Sequence, residues 1–358
     1  MAEASSLVRK RPVAGLAGIC ALLLAALMVL PVPGCSPVTQ RAFNVTEAPT
    51  PMLDIASDTF ISFDGAPLGL TVWEAAGGAE PDIVVVGLHG MNDWANAFYM
   101  AAPFWAQHGV TTYAYDQRGF GRSPNRGIWP KEDLMREDLR TAVSLARARH
   151  PDAILAVVGI SMGGAVAMST FGTDGAPPVD RLVLSGPGLR GWGALPLSYR
   201  TSLWMSARVR PGWVVTPPRR FVRIEPTDNL DMLREIWSSP MMLRENRIDQ
   251  VHGVVSLMET AHRRAPNLPA DRTLMAYGAN DYVIPPPGVQ RTAAVLPVGV
   301  RTVYYPEGYH MLLRDMQAER VWTDYLAFFR DPEAPLPSGE APWPWVQGSE
   351  AELSTGDS

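Results

Sequence analysis

The run Gly159-Ile160-Ser161-Met162-Gly163-Gly164 constrains this chain more than any other stretch. An apolar, strand-like segment from Ala153 to Val158 precedes it, and a small-residue segment that reads as helix, Ala165 to Phe171, follows it. At a strand-to-helix junction, G-x-S-x-G makes a sharp turn that lifts the Ser hydroxyl out of the sheet. Gly163, Gly164, Ala165 and Ala167 let the helix approach the sheet closely. The pattern alone is weak, and it gains weight only from its context and partners.

The context is an alternation of strands and helices. Thr59 to Trp73 holds two β-rich runs around Asp64-Gly65 and reads as an opening hairpin. Ile83 to Leu88 is a continuous apolar run of the kind buried in a parallel sheet. Val110 to Tyr115, Ile154 to Val158 and Arg181 to Leu184 follow as strands. Helical stripes lie between them, one through Phe98, Ala101, Ala102 and Trp105, where Pro103 kinks or starts the helix, and a clearer one through Met135, Leu139, Ala142, Val143 and Ala146. Such alternation predicts an α/β fold with a mostly parallel sheet flanked by helices.

The alternation breaks after Ser185. Residues 186–269 are rich in Pro, Trp, Met and Arg, and read as a helical insertion that forms a cap with its own minor core and an apolar pocket. Sheet pattern resumes at Thr273 to Tyr277 and Arg301 to Tyr305, with a last helical stripe from Val321 to Phe329. The expected divisions are core residues 58–185 and 270–331, with the cap at 186–269 between them. The acidic tail, 332–358, is expected to be largely disordered, with Trp343 and Trp345 able to dock locally.

A Ser hydroxyl becomes a nucleophile when a His takes its proton and a carboxylate orients that His. Only His252, His262 and His310 follow Ser161. His310 lies just past the strand-like Arg301 to Tyr305, and Asp281 just past Thr273 to Tyr277, where a parallel sheet presents its functional loops. Ser161, Asp281 and His310 are therefore the candidate catalytic set. Glu307 and Asp315 are rival acids near His310, but neither follows a separate strand. Leu88-His89-Gly90-Met91 follows an early strand, and the backbone N–H groups of Met91 and Met162 are the expected oxyanion donors. His89 reads as structural support for that loop, and Gly90 lets its backbone approach the substrate. In Asp116 to Ser123, a Gly-bearing turn with a charge pair is preferred over direct substrate contact by Arg118 or Arg122.

The N-terminus reads as a targeting segment, residues 1–34. Arg9, Lys10 and Arg11 precede an apolar run from Val13 to Leu30. Val32-Pro33-Gly34-Cys35 resembles a bacterial lipobox, which makes Cys35 the expected lipid attachment site, although Pro33 stands where a small residue is usual. An uncleaved membrane anchor and ordinary secretion are the alternatives. All three place the body outside the cytoplasm, lipid-anchored in the cell envelope on the first reading. Residues 35–57 read as a tether. The only cysteines are Cys20 and Cys35, so no disulfide staples the body. A net charge of −5 argues against a nucleic-acid partner.

Together, Leu88-His89-Gly90, the Asp116 to Ser123 run, Gly159 to Gly164, Gly278 to Asp281 and Gly308-Tyr309-His310 resemble the monoacylglycerol lipase/lysophospholipase group of α/β-hydrolases. The resemblance spans about Thr59 to Arg330. It implies an α/β-hydrolase fold, a Ser161-Asp281-His310 triad, a mobile cap, no metal or other cofactor, and a small acyl-ester or lipid substrate. A broad carboxylesterase, a peptidase of the same fold, or a silent lipid-binding lipoprotein are the other readings.

Overall fold

A computed structural model describes residues 36–43, 49–78, 80–215 and 225–346. The expected leader, Cys35 and the end of the tail, 347–358, lie outside the described residues. The strands before the insertion are β1 (Met52–Asp54), β2 (Thr59–Ile61), β3 (Pro67–Trp73), β4 (Ile83–Leu88), β5 (Val110–Tyr115), β6 (Ile154–Ile160) and β7 (Arg181–Ser185). Within it, β8 (Val214–Val215) and β9 (Asn246–Arg247) form a short ribbon, and β10 (Thr273–Gly278) and β11 (Arg301–Tyr305) follow. The main sheet has the order β1-β2-β3-β5-β4-β6-β7-β10-β11. It is antiparallel from β1 through the β3–β5 pair and parallel from β5 to β11. The expected hairpin around Asp64-Gly65 is the β2–β3 pair.

Helices cover both faces of this sheet and build the insertion. They are α1 (Ala101–Ala106), α2 (Glu132–Arg149), α3 (Met162–Phe171), α4 (Leu197–Val209), α5 (Leu230–Ser238), α6 (Ile248–Arg264), α7 (Pro286–Ala293) and α8 (Ala318–Arg330). Strand β4 shows why its sequence is apolar throughout. Val84, Val86 and Leu88 enter the core that includes residues of α2, α3 and α6, while Ile83 and Val85 enter the core under α1 and α8. Successive strand side chains point to opposite faces, and here both faces are dry. Pro103 falls in the first turn of α1, where a missing N–H leaves no helical bond unmade, so it starts the helix and does not kink it.

Two expectations are corrected. Described residues of the stretch read as a tether pack onto the body: Gln40 is buried, its N–H donates to Trp129 O at 2.9 Å, and its Nε2 donates to Ile128 O at 2.6 Å. Residues 332–346 of the tail are ordered, which goes beyond the local docking expected at Trp343 and Trp345. Trp343 is fully buried and its Nε1 donates to Val303 O at 3.0 Å, while Tyr304 N–H donates to Ala341 O at 2.8 Å. The tail thus covers the open edge of β11, whose backbone groups would otherwise be unpaired. The insertion has the small core of its own that was expected, Met232, Ile236 and Met242, while Trp204, Trp213 and Trp237 are exposed outside it. Helix α6 belongs instead to the main core, with Val254, Leu257 and Ala261 in one cluster with Met162, Ala165 and Val166.

Candidate active site

The turn at Ser161 is built from glycines that close approach requires. A Cβ on Gly159 would sit 2.7 Å from Gly163 O, and one on Gly163 would run into Leu88 O. Ser161 itself holds φ at 51°, a left-handed conformation costly for a residue with a Cβ. Its N–H donates to Ser185 O at 3.1 Å, and its carbonyl accepts Gly188 N–H at 2.8 Å and Ala165 N–H at 3.1 Å. Neighbouring strand and loop therefore hold the strained turn from both sides.

The structure brings the three predicted residues together from three loops. His310 Nε2 lies 2.9 Å from Ser161 Oγ, and His310 Nδ1 lies 2.7 Å from Asp281 Oδ2. Asp281 Oδ1 accepts Val283 N–H at 2.9 Å and Ile284 N–H at 2.8 Å, which fixes the carboxylate plane. All three residues are buried. With Nδ1–H donating to Asp281, Nε2 is left as the acceptor for the Ser161 hydroxyl proton, the tautomer that general-base chemistry needs.

The rival groups have other partners. Asp315 Oδ2 accepts Tyr309 N–H at 2.8 Å, and burial pushes its carboxyl up to about 6. Glu307 is exposed. His252 stacks edge-on against Trp192, and His262 Nδ1 is 3.1 Å from Thr292 Oγ1. His89 is fully buried: Nε2 accepts Gln117 N–H at 2.8 Å and Nδ1 donates to Gly90 O at 2.7 Å. Burial holds its imidazole below the usual range, so it is a neutral brace for the loop.

Gly90 faces Ser161 closely; a Cβ there would lie 3.3 Å from Ser161 Cβ. Met91 N–H has no acceptor among the described residues, and Met162 supplies the first N–H of α3, which has no partner within the helix. Both remain candidate oxyanion donors. The Asp116 turn is structural. Arg118 donates to Asp64 and Asp138, all three buried, and Arg122 Nε donates to Asp116 Oδ2 at 2.8 Å.

Sequence reasoning missed Asp93 and Arg314. Arg314 Nη2 donates to Asp93 Oδ2 in a buried ion pair that joins the Met91 loop to the His310 loop. The two lie 221 residues apart, and no local pattern marks either. The insertion also grips the His310 loop, through Met311 N–H to Pro226 O at 2.9 Å and Met316 N–H to Asp228 Oδ1 at 2.8 Å. Among the described residues, no group of three or more His, Cys, Asp or Glu is placed to hold a metal, and no helix is long and apolar enough to cross a membrane.

Comparison with known proteins agrees with this fold. The monoacylglycerol lipase of Mycolicibacterium smegmatis (strain ATCC 700084 / mc(2)155) is 26% identical over 283 residues, covering 74% of this chain and 94% of that protein. A soluble variant of monoglyceride lipase from Saccharomyces cerevisiae, solved with a substrate analog, superposes with a TM-score of 0.64 at 17% identity, covering 82% of this chain and 98% of the other. A thermostable carboxyl esterase from Bacillus coagulans, solved with glycerol, gives 0.60 at 21% identity, covering 76% and 96%. These structures share the α/β-hydrolase fold. The family model described as serine aminopeptidase, S33 (Hydrolase_4) matches residues 79–317, more than half of the sequence, and the chain belongs to that family.

Proposed function

We propose that this chain is a serine ester hydrolase acting on monoacylglycerol or lysophospholipid-type esters. The observation that carries the proposal is the Asp281–His310–Ser161 relay, at 2.7 and 2.9 Å. The similarity to the M. smegmatis monoacylglycerol lipase supports the choice of ester. His310 Nε2 takes the Ser161 proton as Oγ bonds to the ester carbonyl carbon. Negative charge then develops on the former carbonyl oxygen, where the Met91 and Met162 N–H groups serve as donors; losing one such donor typically costs about 2.7–4 kcal/mol. As the tetrahedral species collapses, the ester C–O bond breaks and His310 gives its proton to the departing alcohol. A water that gives a proton to His310 Nε2 then attacks the acyl carbon, the acyl–Oγ bond breaks, and His310 returns the proton to Ser161 Oγ as the acid leaves.

A fluorophosphonate probe is expected to label the protein, and Ser161→Ala to abolish labelling. Labelling that survives in Ser161→Ala would refute the assignment. The family description as serine aminopeptidase favours a second reading, amide hydrolysis. A panel of acyl glycerols against aminoacyl amides separates the two, and faster amide turnover would replace the ester reading. We further propose that residues 186–269 act as a lid over the site, and that a lipid on Cys35 anchors the body in the cell envelope. Mass spectrometry of the mature N-terminus tests the anchor; an unmodified Cys35 or a retained Arg9-Lys10-Arg11 segment would remove it.

A further inference from the structure

A cleft of about 660 Å3 opens beside the insertion, lined by Arg126, Arg244 and Arg247 and by Val214, Met242 and Leu243. Arg126 comes from the loop after β5, and the other two guanidiniums come from the insertion. Arg247 is already paired, with Nε and Nη2 donating to Asp249 at 3.0 and 2.6 Å. Arg126 and Arg244 have no carboxylate partner among the described residues. Each uses Nη2 on a backbone carbonyl, that of Met242 at 3.1 Å and of Ser238 at 3.2 Å respectively. Those bonds orient each guanidinium and leave most of its five donors to solvent. Among the described residues Glu245 is the one carboxylate in the lining, and it is exposed.

Two lining residues of the cleft touch the loops that carry the candidate active site. Leu243 N–H donates to Asn92 O at 2.9 Å, one residue past Met91. Met242 is buried in the cluster that packs against Met311, the neighbour of His310. Two arginines from separate segments suit a group with several acceptor oxygens and more than one negative charge; a single carboxylate is satisfied by one guanidinium fork. The apolar lining suits a ligand with a hydrocarbon portion.

We propose that this cleft binds the phosphate head of a single-chain lipid phosphate, with Arg126 and Arg244 on the phosphate oxygens and Val214, Met242 and Leu243 against the first methylenes. The site is defined by binding and holds whether or not the proposed hydrolysis does. The test therefore uses the full-length chain carrying Ser161→Ala, titrated calorimetrically with dodecyl phosphate and with neutral dodecyl glycerol ether, each below its micelle threshold. Dodecyl phosphate is expected to bind about tenfold tighter, a preference that shrinks as salt is raised. Adding Arg126→Gln and Arg244→Gln is expected to remove the preference without changing the affinity for the neutral ether. Circular dichroism melting shows whether the added substitutions leave the fold intact; if the pair destabilises it, each is read singly, with about a threefold loss expected. Equal affinity for the two ligands in the starting chain, or a phosphate preference that survives both substitutions, overturns the proposal. Failure of Ser161 to label with fluorophosphonate overturns the hydrolase reading and leaves this measurement unaffected.

Discussion

Glu259 of α6 and Arg291 of α7 meet as a two-point ion pair, with Arg291 Nη1 and Nη2 donating to Oε2 and Oε1 at 2.8 and 2.7 Å. Glu259 Oε2 also accepts the Gly193 N–H at 2.8 Å. One carboxylate thus ties the segment entering the insertion, the helix leaving it and a helix of the core.

That pair gives a pH prediction. Hydrogen bonds from Arg291, against the opposing effect of burial, pull the Glu259 carboxyl from its ordinary 4.5 down to about 2. A carboxyl depressed in the folded state stabilises fully above its unfolded value, and the contribution fades as pH falls through the folded one. Glu259→Gln is therefore expected to lower the melting temperature above about pH 5 and to converge with the parent toward pH 2. Thermal melts of both proteins across that range check it; a difference unchanged at pH 2 contradicts it.

Removing Arg118 should be severe. Its side chain is fully buried between Asp64 and Asp138, themselves 6% and 1% exposed. Arg118→Gln leaves two buried carboxylates without their cation, and breaking such a pair typically costs about 3–5 kcal/mol. Urea denaturation at pH 7 measures it. A loss below about 1 kcal/mol, the size of a surface pair, would show that the cluster is solvated.

Gly163→Ala probes the turn. The added methyl meets the Leu88 backbone, which cannot rotate away as a side chain can. Overpacking of this kind costs about 1–3 kcal/mol. It also displaces the neighbouring Met162 N–H, so the expected result is a lower melting temperature together with slower fluorophosphonate labelling. Labelling at the parental rate would remove the link between this turn and the oxyanion site.

Asp281→Asn tests the orienting acid. An amide in place of the carboxylate can favour the wrong His310 tautomer while keeping the shape. On the triad template, kcat falls by about 10^4-fold with the fold intact. Steady-state ester hydrolysis and circular dichroism of the same preparation check both halves. A loss under about tenfold would move the orienting role to another group, Asp315 being the nearest rival.

How far the sequence could be read depended on the range of the interaction. Strand β4 was visible because burial on both faces demands an unbroken apolar run, and Ser161 was visible because its strained turn needs glycines at fixed offsets. Asp281 and His310 were found because each follows a strand directly, and a parallel sheet brings those ends to one rim. Where the same local composition permits two outcomes, the reading failed. The polar, Pro-dotted segment around Gln40 and residues 332–346 of the acidic tail both have the composition of free chain, yet both are ordered by groups far away in sequence.

The sequence by itself therefore determined the α/β alternation, the turn at Ser161 and the identity of the three residues that meet there, because each is written in local periodicity or in a motif beside a strand. Only the tertiary structure decided which carboxylates enclose Arg118, that Arg314 pairs with Asp93, and that α6 belongs to the main core. Those choices depend on which distant groups share a dry volume. A buried charge takes whatever partner the packing brings within reach, and spacing along the chain carries no record of it.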